Sequence, residues 1–63
     1  MYYFHDLDET SDPMYIGYAN SDGEWIIKRF NEANGEMRYA VGASDYSTNW
    51  TNRVSLSYDY ISG

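Results

Sequence analysis

The chain contains no cysteine, so neither a disulfide nor a thiolate metal site can brace it. A single histidine, His5, is too few for the familiar zinc constellations. Basic residues are scarce: four Lys and Arg face ten Asp and Glu, for a net charge of −6. Nucleic acid is held by neutralising phosphates with Lys and Arg, so no direct nucleic-acid binding is expected. The same deficit disfavours an anionic membrane surface. Apolar runs such as Trp25-Ile26-Ile27 fall far short of the ~20 residues a membrane helix needs. The opening Met1-Tyr2-Tyr3-Phe4-His5-Asp6 has neither the basic start nor the apolar stretch of a secretory signal. Synthesis in the cytoplasm is the expectation.

Length is also in short supply. At 63 residues there is room for one small domain. Folding a chain this size removes roughly 6,500 Å² of surface from water. If a little over half is apolar, that is worth about 95–100 kcal/mol. Ordering the residues costs about 95 kcal/mol, which leaves the sum near zero. With disulfides and zinc excluded, a partner subunit or a host surface is the remaining stabiliser.

What the chain has in abundance is aromatic surface. Eight Tyr, two Trp and two Phe outnumber the Leu, Ile and Val residues. Tyrosine carries an apolar ring with a polar tip and suits surfaces buried only on assembly. It also suits ordinary strands, where it packs well on a pleated surface.

Residues 1–12 read as an acidic, turn-rich arm in which Tyr2-Tyr3-Phe4 can pair as an edge strand, and Asp6, Asp8, Glu9 and Asp12 follow. Pro13 marks the boundary, and residues 13–63 form a single small β domain. Met14–Ala19 is a strand by alternation. Asp22-Gly23 supplies a hairpin turn before a strand over Glu24–Phe30. That strand has no polar face: Trp25, Ile27 and Arg29 share one side, Ile26, Lys28 and Phe30 the other. Both sides are therefore expected to contact something, as in a central strand. Asn34-Gly35 turns the chain into a third strand, Met37–Val41. Ser44 or Asp45 can cap a short helix or loop near residues 45–52. Val54, Leu56, Tyr58 and Tyr60 alternate with Ser55, Ser57 and Asp59, which predicts a final strand over 54–60. The expected fold is mainly all-β: a small antiparallel sheet of about four strands, with a core of Trp25, Ile27, Tyr39, Trp50, Leu56 and Tyr58.

No catalytic, cofactor-binding or metal site is expected. Asp6, Asp8 and Asp12 faintly echo a calcium loop, but Ser11 and Gly17 stand where its glycine and its bidentate glutamate belong. His5 and Asp6 are adjacent, and neighbours on an extended strand point to opposite sides. A sheet of this size leaves little volume for a substrate pocket. The chain does not read as an enzyme.

Four segments carry a resemblance across residues 14–60. They are Tyr15-Ile16-Gly17-Tyr18-Ala19, Gly23-Glu24-Trp25-Ile26-Ile27-Lys28-Arg29, Arg38-Tyr39-Ala40-Val41-Gly42, and Asp45-Tyr46 followed by Trp50-Thr51-Asn52-Arg53-Val54-Ser55-Leu56-Ser57-Tyr58. Their order resembles small virion structural proteins and modules of tailed bacteriophages. The resemblance implies a non-enzymatic particle component: capsid decoration or cement, neck, tail or fibre accessory. Its partners would be other virion proteins, with the chain forming a homo-oligomer or sitting in a lattice. Its location would be the virion, after synthesis in the bacterial cytoplasm. The aromatics beyond one small core, Tyr2, Tyr3, Phe4, Tyr15, Tyr46 and Tyr60, are the expected protein-contact residues. The charge of −6 keeps an alternative in view, an acidic DNA mimic that inhibits a host defence or nucleic-acid-binding protein. Tyrosines that stack on sugars in a host-binding fibre form a third reading.

Overall fold

Two glycines set the hairpins. Gly23 (φ +88°) and Gly35 (φ +72°) adopt the left-handed backbone that costs glycine nothing and other residues about 1 kcal/mol or more. In the first turn, Asn20 organises the loop. Its Oδ1 accepts from the Asp22 and Glu24 amides at 3.0 Å each, and its carbonyl accepts from Gly23 N at 3.1 Å. In the second, Gly35 N donates to the Asn31 carbonyl at 2.8 Å.

The computed structural model describes residues 1–10, 13–33 and 35–59. Its strands are β1 (Tyr3–Asp8), β2 (Met14–Ala19), β3 (Trp25–Asn31) and β4 (Glu36–Gly42), followed by helix α1 (Tyr46–Thr51) and a 3-10 turn at Arg53–Ser55. The four strands make one antiparallel sheet in the order β1-β2-β3-β4. The all-β expectation therefore holds, but the four strands differ from those expected at both ends of the chain.

At the start, β1 runs past Phe4 through Asp8, into the acidic stretch. A bulge between Phe4 and Asp6 shifts the register, and Asp6 and Asp8 then fall opposite Gly17 and Tyr15. The carboxylates face groups that bind them, so the strand survives its charge.

At the end, residues 54–59 of the expected strand over 54–60 do not form a sheet strand, and Tyr60 lies outside the described residues. Val54 is 75% exposed and sits in the 3-10 turn. Among the described residues of this segment, the backbone meets the sheet at Asp59, which exchanges hydrogen bonds of 2.8 and 2.9 Å with Tyr39 on the outer edge of β4. The period-2 alternation is real, for Leu56 and Tyr58 turn in against the core. They do so from an extended segment laid under the sheet, because the Arg53 carbonyl accepts the Tyr58 hydroxyl at 2.7 Å and holds the segment there.

The core lies between one face of the sheet and this C-terminal layer. Tyr15, Ala19, Trp25, Ile27 and Ala40 are buried, and Tyr46, Trp50, Leu56 and Tyr58 pack against them. Helix α1 starts at Asp45, which adopts φ +64° and makes no side-chain cap bond. Asp45 is thus the N-cap residue, one of the two expected, but without a side-chain cap bond. The Ser44 carbonyl instead accepts the Trp25 indole N–H at 2.7 Å, which fixes the helix start over the core. Gly17 opens the seat for α1: a Cβ there would overlap the Tyr46 hydroxyl and crowd Trp50.

Candidate protein-contact surface

Strand register sorts the side chains into two faces. On the covered face the rows read Tyr3, Ala19, Trp25, Gly42; then Asp6, Gly17, Ile27, Ala40; then Asp8, Tyr15, Arg29, Arg38. On the open face they read Phe4, Tyr18, Ile26, Val41; then Leu7, Ile16, Lys28, Tyr39; then Met14, Phe30, Met37.

The covered face is knit by polar contacts. Tyr46 donates to Asp6 Oδ2 at 2.8 Å. Arg53 donates from Nε and Nη2 to Asp8 Oδ2 at 3.1 and 2.8 Å, and from Nη1 to the Trp50 carbonyl at 2.9 Å. Its guanidinium lies 4.6 Å from the Trp50 ring and 5.8 Å from that of Tyr15. Arg29 covers the Tyr58 ring at 4.6 Å, and Arg38 pairs with Glu36 at 2.9 Å. Hydrogen bonds from Arg53, then from Thr10, hold the Asp8 carboxyl below its ordinary range. Burial, reinforced by Asp6, pushes the Tyr46 phenol well above its ordinary range. Burial pushes Tyr58 up to about 12.

The open face is different in kind. Ten of its eleven register positions are apolar or tyrosine, and the eleventh is Lys28. Phe4 is 62% exposed and Val41 65%, and Leu7 is exposed between them and the sheet end. Phe4 meets Tyr18 edge to face at 6.2 Å. Strands ~4.8 Å apart and ~3.4 Å per residue give this face an extent on the order of 350 Å², within the range that marks interaction sites on small proteins. Helix α1 and the segment after it pack on the other side, through Tyr46, Trp50, Leu56 and Tyr58.

Of the expected contact residues, Tyr2, Tyr3 and Phe4 are exposed, but only Phe4 holds a register position on the open face. Tyr15 is a correction: it is 5% exposed, one of the core residues, because it lies opposite Arg29 and under Tyr58. Tyr46 is half-buried with its hydroxyl committed to Asp6, so it too serves the interior. Tyr60 lies outside the described residues. Tyr39, expected in the core, is half-buried on the open face. The residues missed, Ile16, Tyr18, Ile26, Lys28 and Met37 among them, had one signal: β3 lacks a polar side.

The bulge in β1 also corrects the reading of His5. Its ring lies 5.1 Å from that of Tyr46, the same tyrosine that Asp6 binds. Two neighbours therefore reach one side, as a bulge permits. Among the described residues no group of three His, Cys, Asp or Glu side chains is placed to hold a metal, and no helix is long and apolar enough to cross a membrane. No protein-family model, curated protein or solved structure matches the chain.

Proposed function

We propose that the chain is a non-enzymatic structural component of a tailed-bacteriophage particle, acting through protein–protein contacts made by the open face of its sheet. The observation that carries the contact role is that face itself, a largely apolar surface spanning all four strands that no described helix covers. A sheet this small gains stability when a partner covers such a surface. The particle setting rests on the resemblance of residues 14–60.

The DNA-mimic alternative finds less support. A mimic needs carboxylates in rows at phosphate-like spacing. The strand acids here, Asp6, Asp8 and Glu36, all occupy covered-face positions, and the first two are bound by Tyr46 and Arg53.

Washed, DNA-filled particles of the encoding phage test the proposal by quantitative mass spectrometry. The protein is expected at a fixed ratio to the major structural proteins. Its absence from such particles overturns the reading.

A further inference from the structure

We infer that the open face docks a different protein, one whose apolar contact surface carries a carboxylate placed to meet Lys28, and does not dock a second copy of this chain. The inference rests on the contact-face reading above and names the chemistry of the partner.

Lys28 is the one charged residue at a register position on this face. It occupies the middle row of the second strand from the edge, so it lies within one strand spacing of the centre of the patch. Its Nζ sits 4.9 Å from the Tyr18 ring centroid and 5.9 Å from that of Tyr39. No carboxylate pairs with it among the described residues. The other basic residues are engaged on the far face: Arg53 by Asp8, Arg38 by Glu36, Arg29 over Tyr58.

A partner that covers this face strips water from the Lys28 ammonium. Cation–π contacts with two tyrosines offset only part of that loss, and a buried ammonium without an anion is strongly disfavoured. A second copy docked face to face brings a lysine at the same place and, among the described register positions, no acid. A two-fold axis through the patch would set two ammonium groups into one apolar interface. A carboxylate on a different partner closes a charge-assisted pair where water is excluded, which fixes register as well as partner choice.

The test uses Lys28→Glu as the probe, since that variant is the same apolar face carrying a central carboxylate. Wild type, Lys28→Glu and Lys28→Met are examined by light scattering behind size exclusion and by native mass spectrometry, with circular dichroism confirming that each is folded. Wild type and Lys28→Glu are expected to be monomeric alone. Mixed, they are expected to form a one-to-one heterodimer at least tenfold tighter than either self-association, weakening with salt. Lys28→Met is expected to self-associate at least tenfold more tightly than wild type, and this comparison stands even if Lys28→Glu fails to fold. A wild-type dimer abolished by Val41→Glu would overturn the inference. So would a mixture that stays monomeric while Lys28→Met dimerises; the face would then be a contact surface without the carboxylate requirement. Folded Lys28→Met that remains monomeric at every concentration would overturn the contact-face reading itself.

Discussion

Asp8 and Arg53 stand 45 positions apart in the chain and meet at 2.8 Å. This pair joins the first strand to the 3-10 turn that follows the helix, and it closes the layer over the core. The same guanidinium binds the Trp50 carbonyl at 2.9 Å and lies against its ring. A lysine keeps the charge but cannot reach all three. Arg53→Lys is expected to lower stability by about 1–2 kcal/mol, read as a fall in the urea midpoint with an unchanged slope. An unchanged midpoint would show that Arg53 is a bystander.

Acid should loosen the same junction. Asp8 is held below its ordinary pKa, mainly by Arg53. A carboxyl depressed in the folded state contributes stability that is present above its unfolded pKa of ~3.9 and lost as pH falls through the lower, folded value. The urea midpoint is expected to fall below about pH 4, and to fall less steeply in Asp8→Asn. Equal slopes in the two proteins would assign acid sensitivity to other carboxylates.

Alkali acts on the tyrosines with the opposite arithmetic. Tyr58 is raised to about 12 and Tyr46 is raised as well, each chiefly by burial. Between the unfolded value of ~10 and these higher ones, the unfolded chain has lost protons the folded chain keeps. Stability present below pH ~10 is therefore lost as pH rises above it. Spectrophotometric titration should show part of the tyrosinate signal appearing only with cooperative unfolding, a fraction that shrinks in Tyr46→Phe. Smooth titration of every tyrosine near the ordinary value would contradict it.

Gly17→Ala tests the seat of the helix. The new methyl would overlap the Tyr46 hydroxyl and press on Trp50, so the helix must shift. The expected loss is about 1–3 kcal/mol, with a weakened near-ultraviolet dichroism signal from the Tyr46–Trp50 stack at 6.1 Å. Wild-type stability in this variant would mean that α1 is not seated on Gly17.

Val41→Lys probes the open face without touching the core. Val41 is 65% exposed at the edge of the patch, so stability should change by no more than about 0.5 kcal/mol. Incorporation into particles is expected to drop at least tenfold when the variant competes with wild type. Equal incorporation would move the contact surface elsewhere.

Much of this was legible along the chain. Turn chemistry at Asp22-Gly23 and around Gly35, and the alternation within β2, depend on neighbours a few residues away. The lack of a polar side on β3 anticipated its interior place in the sheet, and the absence of cysteine excluded disulfides and thiolate metal sites. These properties are local or additive, so the sequence by itself determined them. Assignment of faces and partners was a different matter. The alternation at Leu56 and Tyr58 specifies inward side chains, but whether the backbone joins a sheet depends on a free edge, and among the described residues of this segment Asp59 is the one that bridges to β4. Tyr15 and Tyr39 have the same composition, yet one is interior and the other lies on the open face, because register alone decides the side. The bulge at His5 and the reach of Arg53 to Asp8 arise only when both ends of the chain are brought together. Tertiary structure therefore decided which aromatics stabilise the core, and it left Lys28 as the one charged residue among the described register positions of the open face.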